Sequence, residues 1–122
     1  MAAFRYLVDD VDKALPFYEA LGFVLAERWG PAFAIVTRGD VHLWLSGPGT
    51  SARQPLDDGT QRGPGGFNRF VIEVDDLETM LRRLEDTGMK RRSTPVSGPG
   101  GQQALVMDPS GNPVELFQPR NA

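Results

Sequence analysis

The sequence predicts an α+β fold in which one β-α-β-β-β unit is made twice. Three observations predict it. VDDVDKALPFYEALGF, from Val8, aligns without a gap on VDDLETMLRRLEDTGM, from Val74, at an offset of 66 residues. VHLWL, from Val41, matches VELFQ, from Val114, at an offset of 73. Each half also repeats one order of patterns, a strand-like run, an Asp-led helical stripe and three further strand-like runs. Repetition at a fixed spacing marks a duplicated supersecondary unit and governs the assignment of everything else.

The elements follow in chain order. FRYLV and FNRFVIEV are rich in aromatic and β-branched residues and read as strands. Asp10 and Asp76 can each cap a helix start, with Asp12 and Glu78 in the first turns. The helices are expected over 11–20 and 77–87, ended by Gly22 and Gly88. Val11, Ala14, Leu15 and Tyr18 form one apolar stripe; Leu77, Met80, Leu81 and Leu84 form the other. Pro16 lies inside the first stripe, where it removes a hydrogen bond and can kink the helix. The remaining strands are expected at Val24–Arg28, Phe33–Thr37 and Val41–Ser46, then at Arg91–Pro95, Gln103–Met107 and Pro113–Gln118. GPGG, at 98–101, opens onto no helix and reads as a hairpin loop rather than a phosphate cradle. The whole reads as one domain, with a first module over 1–46, a Gly/Pro-rich linker over 47–66 and a second module over 67–122.

Composition narrows the function. The chain has 122 residues, 40% hydrophobic and 24% charged, which suits one folded core. A net charge of −3 argues against a nucleic-acid partner. Cys is absent, which excludes disulfides, thiolate metal sites and thiol nucleophiles. No apolar run approaches a membrane span, and MAAFRYLVDD turns acidic too early for a signal peptide, so the expected location is cytoplasmic.

The stretches VDDVDKALPFYEALGF, GDVHLWLSG, IEVDDLETMLRRLEDTG and DPSGNPVELFQP together resemble the vicinal oxygen chelate superfamily. That group includes glyoxalases, bleomycin-resistance-type proteins, fosfomycin-resistance enzymes and extradiol dioxygenases. The resemblance covers nearly the whole chain. It implies that each unit curls into a half-open mixed sheet with its helix outside, and that two units form a cup. It also implies a homodimer, in some members with modules exchanged between chains.

Metal-dependent members of that family draw ligands from the first and last strand of each unit. Glu115 sits where the family's final Glu ligand sits. The 73-residue offset carries Glu115 onto His42, the only histidine; the first-strand places, 66 apart, are Ala3 and Arg69. Ala3 offers no donor, and Arg69 repels a cation. Two candidate ligands remain, His42 and Glu115, where a catalytic site generally needs three. Glu115 is expected either to pair with Arg69 across the cup floor or to face solvent.

Strand alternation puts His42, Trp44, Ser46, Glu115, Phe117, Arg69, Val71 and Glu73 on the cup face, with Arg5 on the same side of the first strand. Trp44 and Phe117 fall at positions related by the 73-residue offset and, with Arg, Glu and His nearby, suit a flat, partly cationic or heteroaromatic ligand. Filling of core or dimer-interface space is the competing use of these rings. Trp29 and Phe33 are candidates for a rim. The ligand-binding set is therefore Trp44, Phe117, His42, Arg69, Glu115, Arg5 and Glu73, with no catalytic residue and no cofactor. The expected function is sequestration of a hydrophobic or aromatic natural product or antibiotic without chemistry, as in bleomycin-resistance-type proteins. The alternatives are a glyoxalase- or dioxygenase-like enzyme holding a divalent metal on His42 and Glu115, and a metal-free enzyme.

Overall fold

The structure is a computed structural model that describes residues 1–120; Asn121 and Ala122, assigned above to the second module, lie outside the described residues. Two open mixed sheets and two helices make up the α+β fold. The first half contributes β1 (Phe4–Leu7), α1 (Val11–Ala20), β2 (Val24–Trp29), β3 (Phe33–Arg38) and β4 (Val41–Ser46). The second contributes β5 (Val71–Glu73), α2 (Leu77–Leu84), β6 (Lys90–Arg91), β7 (Val96–Gly98), β8 (Gly101–Met107) and β9 (Pro113–Pro119). The sheet orders are β1-β4-β3-β2 and β5-β9-β8-β6, with β7 also on β8. Only β1–β4 and β5–β9 are parallel. A helix lies between the first and second strands of each half; the first half is the expected β-α-β-β-β unit, and the second has four strands after its helix.

The helix ends follow the sequence closely. Asp10 accepts from the Lys13 N–H at 3.2 Å, and Asp76 from that of Thr79 at 3.0 Å. Hydrogen bonding to Thr79 holds the exposed Asp76 carboxyl below its usual range. Gly22, at φ +99°, closes α1 in a Schellman motif: its N–H donates to the Glu19 carbonyl, and that of Phe23 to the Tyr18 carbonyl, both at 3.0 Å. Helix α1 passes through Pro16, which faces solvent, so the carbonyl it leaves without a donor can turn to water.

Two expectations need correction. Helix α2 ends at Leu84, and residues Glu85–Thr87 tighten into a 3₁₀ turn before Gly88. The strand expected at Arg91–Pro95 is broken into β6 and β7, both on β8. Pro95 has no N–H to give to the ladder, and the residue before a proline is conformationally restricted. The Gly/Pro-rich linker carries local structure. It holds a 3₁₀ turn at Ser51–Arg53, and Arg53 donates to the carbonyls of Arg62, at 3.1 Å, and Val8, at 2.8 Å.

One hydrophobic cluster joins the halves. It includes Val11, Phe17 and Tyr18 from α1, Leu43 and Leu45 from β4, and Leu77, Leu81 and Leu84 from α2. Phe70, before β5, packs on Tyr6 with ring centroids 5.3 Å apart. A buried polar knot crosses the same boundary. The Tyr18 hydroxyl donates to Asp108 at 2.6 Å, and the Asn112 amide donates to Asp108 at 3.0 Å and to the Leu7 carbonyl at 2.6 Å. Among the described residues, no helix is long and apolar enough to cross a membrane.

Candidate functional site

The strands sort their side chains largely as alternation predicts. Leu43, Leu45, Val114 and Leu116 are buried under the helices. On the opposite face His42, Trp44, Glu115 and Phe117 are half-buried, while Arg5, Arg69, Val71 and Glu73 are exposed. Ser46 departs from this open face: it is fully buried and accepts from Arg5 Nη1 at 2.9 Å.

The sheet register corrects the equivalence drawn from sequence. In the first sheet Arg5 lies opposite Trp44; in the second, Val71 lies opposite Glu115. Arg5 and Val71 are related by the 66-residue offset, so the structural counterpart of Glu115 is Trp44, not His42. The adjoining hydrogen bonds agree. Val8 N–H donates to the Ser46 carbonyl at 3.0 Å, and Val74 N–H to that of Phe117 at 2.9 Å. Phe117 therefore matches Ser46, and Trp44 and Phe117 are not symmetry mates. The reason lies in the period of the strand. A one-residue slip inverts the faces, but a two-residue slip preserves them, so the pattern of VHLWL fits either register.

Around Glu115 the second sheet builds an ion pair. Arg69 Nη2 and Nε approach Glu115 Oε1 at 2.9 and 3.1 Å, and Arg69 Nη1 donates to the Phe67 carbonyl at 3.1 Å. The expected pair forms, but both donors share one oxygen, and the partners belong to the same half of the chain. With its amide nitrogen turned inward, Gln103 donates to Oε2 at 2.9 Å. Ser93, Val96 and Leu105 complete a recess of about 190 Å³ beside the pair.

Around Trp44 the first sheet builds an aromatic and cationic surface. The Arg5 guanidinium carbon lies 5.0 Å from the centroid of the indole. Phe33 meets the indole edge-on at 6.2 Å, and Trp29 meets Phe33 at 6.0 Å. The Trp44 indole N–H is buried and has no acceptor. His42 sits farther along β4, opposite Thr37 on β3.

A family model described as the glyoxalase/bleomycin resistance protein/dioxygenase superfamily matches residues 1–116. The chain belongs to this superfamily. An uncharacterized protein of Mycolicibacterium smegmatis is 28% identical over 111 residues, which cover 91% of this chain and 86% of that one. TnmS3, an antibiotic binding protein from Streptomyces sp. CB03234, is 28% identical with a TM-score of 0.66, covering 98% of this chain and 97% of its own. A lactoylglutathione lyase from Agrobacterium tumefaciens shares the fold at a TM-score of 0.70 and 22% identity, over 97% of this chain and 92% of its own.

By sheet register, the places that hold the metal in metal-dependent members of the superfamily are Ala3, Trp44, Arg69 and Glu115 in this chain. One carboxylate remains as a possible ligand, and its Oε1 is held by a guanidinium. His42 stands two residues along β4 from the place it was expected to fill. No group of three or more His, Asp or Glu side chains suited to a metal ion gathers among the described residues. The set does not fit a divalent metal: one place has no donor, one holds an indole and one holds a cation.

Two grooves flank β1. One, of about 410 Å³, is lined by Arg5, Leu7, Ser51, Ala52 and Arg62. The other, also of about 410 Å³, runs along the junction of the halves past Tyr6, Asn68, Arg69 and Pro113 and shares Arg5 and Leu7. Burial raises the Tyr6 phenol to about 12, against opposing pulls from the Phe70 backbone and Arg69. The Tyr6 hydroxyl donates to the Pro113 carbonyl at 2.9 Å, which fixes it in the wall of this groove. Sequence reasoning missed Arg62, Ser51, Tyr6 and Gln103. The first two belong to the linker and the last two reach the site through packing, so none had a local motif.

Proposed function

We propose that the protein binds a hydrophobic or aromatic small molecule, a natural product or antibiotic, without transforming it. One observation carries this reading: the metal places hold an indole and an arginine, and that arginine neutralises the carboxylate left among them. An indole with Arg5 and Phe33 beside it is a surface for flat ligands. The likeness to TnmS3 supports the same reading. The proposed site comprises Trp44 with Arg5, together with Arg69, Glu115 and Glu73; Phe117 and His42 stand at its margins. The proposal includes a cytoplasmic homodimer, with modules exchanged between protomers or not.

The test is a calorimetric titration of metal-stripped protein with Ni, Zn, Mn and Fe(II), followed by a tryptophan-quenching screen of planar antibiotics. The expected result is no micromolar metal binding and a micromolar planar ligand recovered chemically unchanged. One tight ion per chain, lost in both His42→Ala and Glu115→Ala, would overturn this and establish the metalloenzyme alternative.

A further inference from the structure

We propose that the groove between β1 and the linker holds an acidic group of the ligand, so that the bound molecule is a planar aromatic carboxylate. This rests on the small-molecule-binding reading and specifies the ligand's chemical class.

Five residues line that groove. Two are arginines, Arg5 and Arg62, and none is acidic. The ion pairs among the described residues are Arg28–Asp12 and Arg69–Glu115, so neither groove arginine has an acidic partner there. Their hydrogen bonds leave most donors unspent. Arg5 Nη1 donates to the Ser46 hydroxyl at 2.9 Å, and Arg62 Nη1 donates to the Ala52 carbonyl at 3.3 Å. A guanidinium carries five N–H donors in a planar fork that matches a carboxylate.

Both arginines are also held in place. Arg5 is bonded to a fully buried serine and stacked over Trp44. Arg62 is fixed on its backbone side as well, since its carbonyl accepts from Arg53 Nε at 3.1 Å. Positioning of this kind lowers the ordering cost of capturing an anion. The second groove, which shares Arg5, adds the neutral amide of Asn68 and an Arg69 already paired with Glu115. In a chain of net charge −3, Arg5 and Arg62 are a local reversal of sign, and this favours an anion between them. The aromatic part of the ligand then has Trp44 beside the arginine that receives its acid, with Phe33 against that indole.

The experiment compares phenazine-1-carboxylate with phenazine-1-carboxamide by tryptophan quenching near neutral pH. The pair shares its shape and differs in charge. The carboxylate is expected to bind at least about tenfold tighter, as a charge-assisted pair requires. Arg5→Gln and Arg62→Gln should each remove most of that preference. Arg62→Gln should leave carboxamide affinity unchanged, whereas Arg5→Gln, which also loses the cation over Trp44, should weaken both probes and the carboxylate far more, with its fold checked by circular dichroism. Raising the salt should narrow the gap. Equal affinities for the two probes, or a preference that survives both substitutions, would overturn the acidic-ligand inference and leave the sequestering reading standing. If neither probe binds but a neutral or cationic planar compound does, the inference again fails alone. If no planar compound binds at all, both fall.

Discussion

In the first sheet Trp44 stands beside Arg5 on the adjoining strand; in the second, the same two positions hold Glu115 and Val71. The first sheet leaves its cation without an acidic partner and stacked on an indole. The second satisfies its carboxylate internally, with Arg69 on one oxygen and Gln103 on the other. The turns differ as well. Residues 39–40 join β3 to β4, whereas residues 108–112 join β8 to β9 and carry the knot that receives Tyr18. The two halves therefore share a backbone plan and divide the work. One half presents open donors and aromatic surface, and the other supplies a closed polar network and the lock between the halves.

The largest test of this contrast is stability. Asp108 accepts from the Tyr18 hydroxyl, the N–H groups of Ser110 and Asn112, and the Asn112 amide. Asp108→Ala strands these donors and should cost on the order of 3–5 kcal/mol in urea unfolding. Asp40→Ala, in the exposed turn of the first half, should stay within about 0.5 kcal/mol. Similar losses in the two variants would erase the asymmetry.

A gain-of-function series sharpens the register. Ala3→His with Arg69→His and Trp44→Glu should create a metal site with Glu115 that binds Ni or Zn at about micromolar Kd by calorimetry. Ala3→His with Arg69→His alone keeps three ligands in register and should bind more weakly, and adding His42→Ala to it should change nothing. A loss of binding on that addition would restore His42 as the counterpart of Glu115.

Ligand binding comes next. Trp44→Ala should weaken planar-ligand affinity about tenfold, and Phe117→Ala by about threefold, both read by calorimetry with the fold checked by circular dichroism. Unchanged affinity in both would remove the aromatic surface from the model. A smaller effect is expected at the ion pair. Glu115→Gln should cost about 1 kcal/mol in urea, because the Arg69 side chain, 35% exposed, can turn to water once its partner is neutral.

The smallest effect concerns pH. Tyr18, buried and beside Asp108, has its phenol raised well above the ordinary value, and that of Tyr6 is raised to about 12. Because folding raises both, their stabilising contribution is complete below the unfolded value near 10. It is lost as pH rises through the folded values. Unfolding free energy should therefore stay level in this respect through neutral pH and fall above about pH 10. Tyr6→Phe should make that alkaline fall shallower in a pH series of urea melts.

Much of the fold was legible because it is written in local code. The Asp caps, the glycine terminations, the apolar stripes and the alternation along VHLWL and VELFQ each follow from one stretch of chain. The Arg69–Glu115 pair was legible because both residues fell at family positions. The register of β4 was not, since a slip of two residues leaves every side chain on its own face. The break at Pro95 was hidden because both fragments still pair with β8. Arg62 and the Tyr18–Asp108 bond join residues distant in sequence, and neither end carries a pattern that announces the other.

That last bond bears on how a duplicated gene grows old. A chain built from two copies of one unit could in principle be divided again at the Gly/Pro-rich connection. Here the first fragment would take Tyr18 and the Leu7 carbonyl away from Asp108 and Asn112. Each piece would then keep polar groups shaped for a partner it no longer has. Once the copies began to satisfy each other's buried groups, the duplication became a ratchet, and the half-length ancestor ceased to be a sequence this protein can return to.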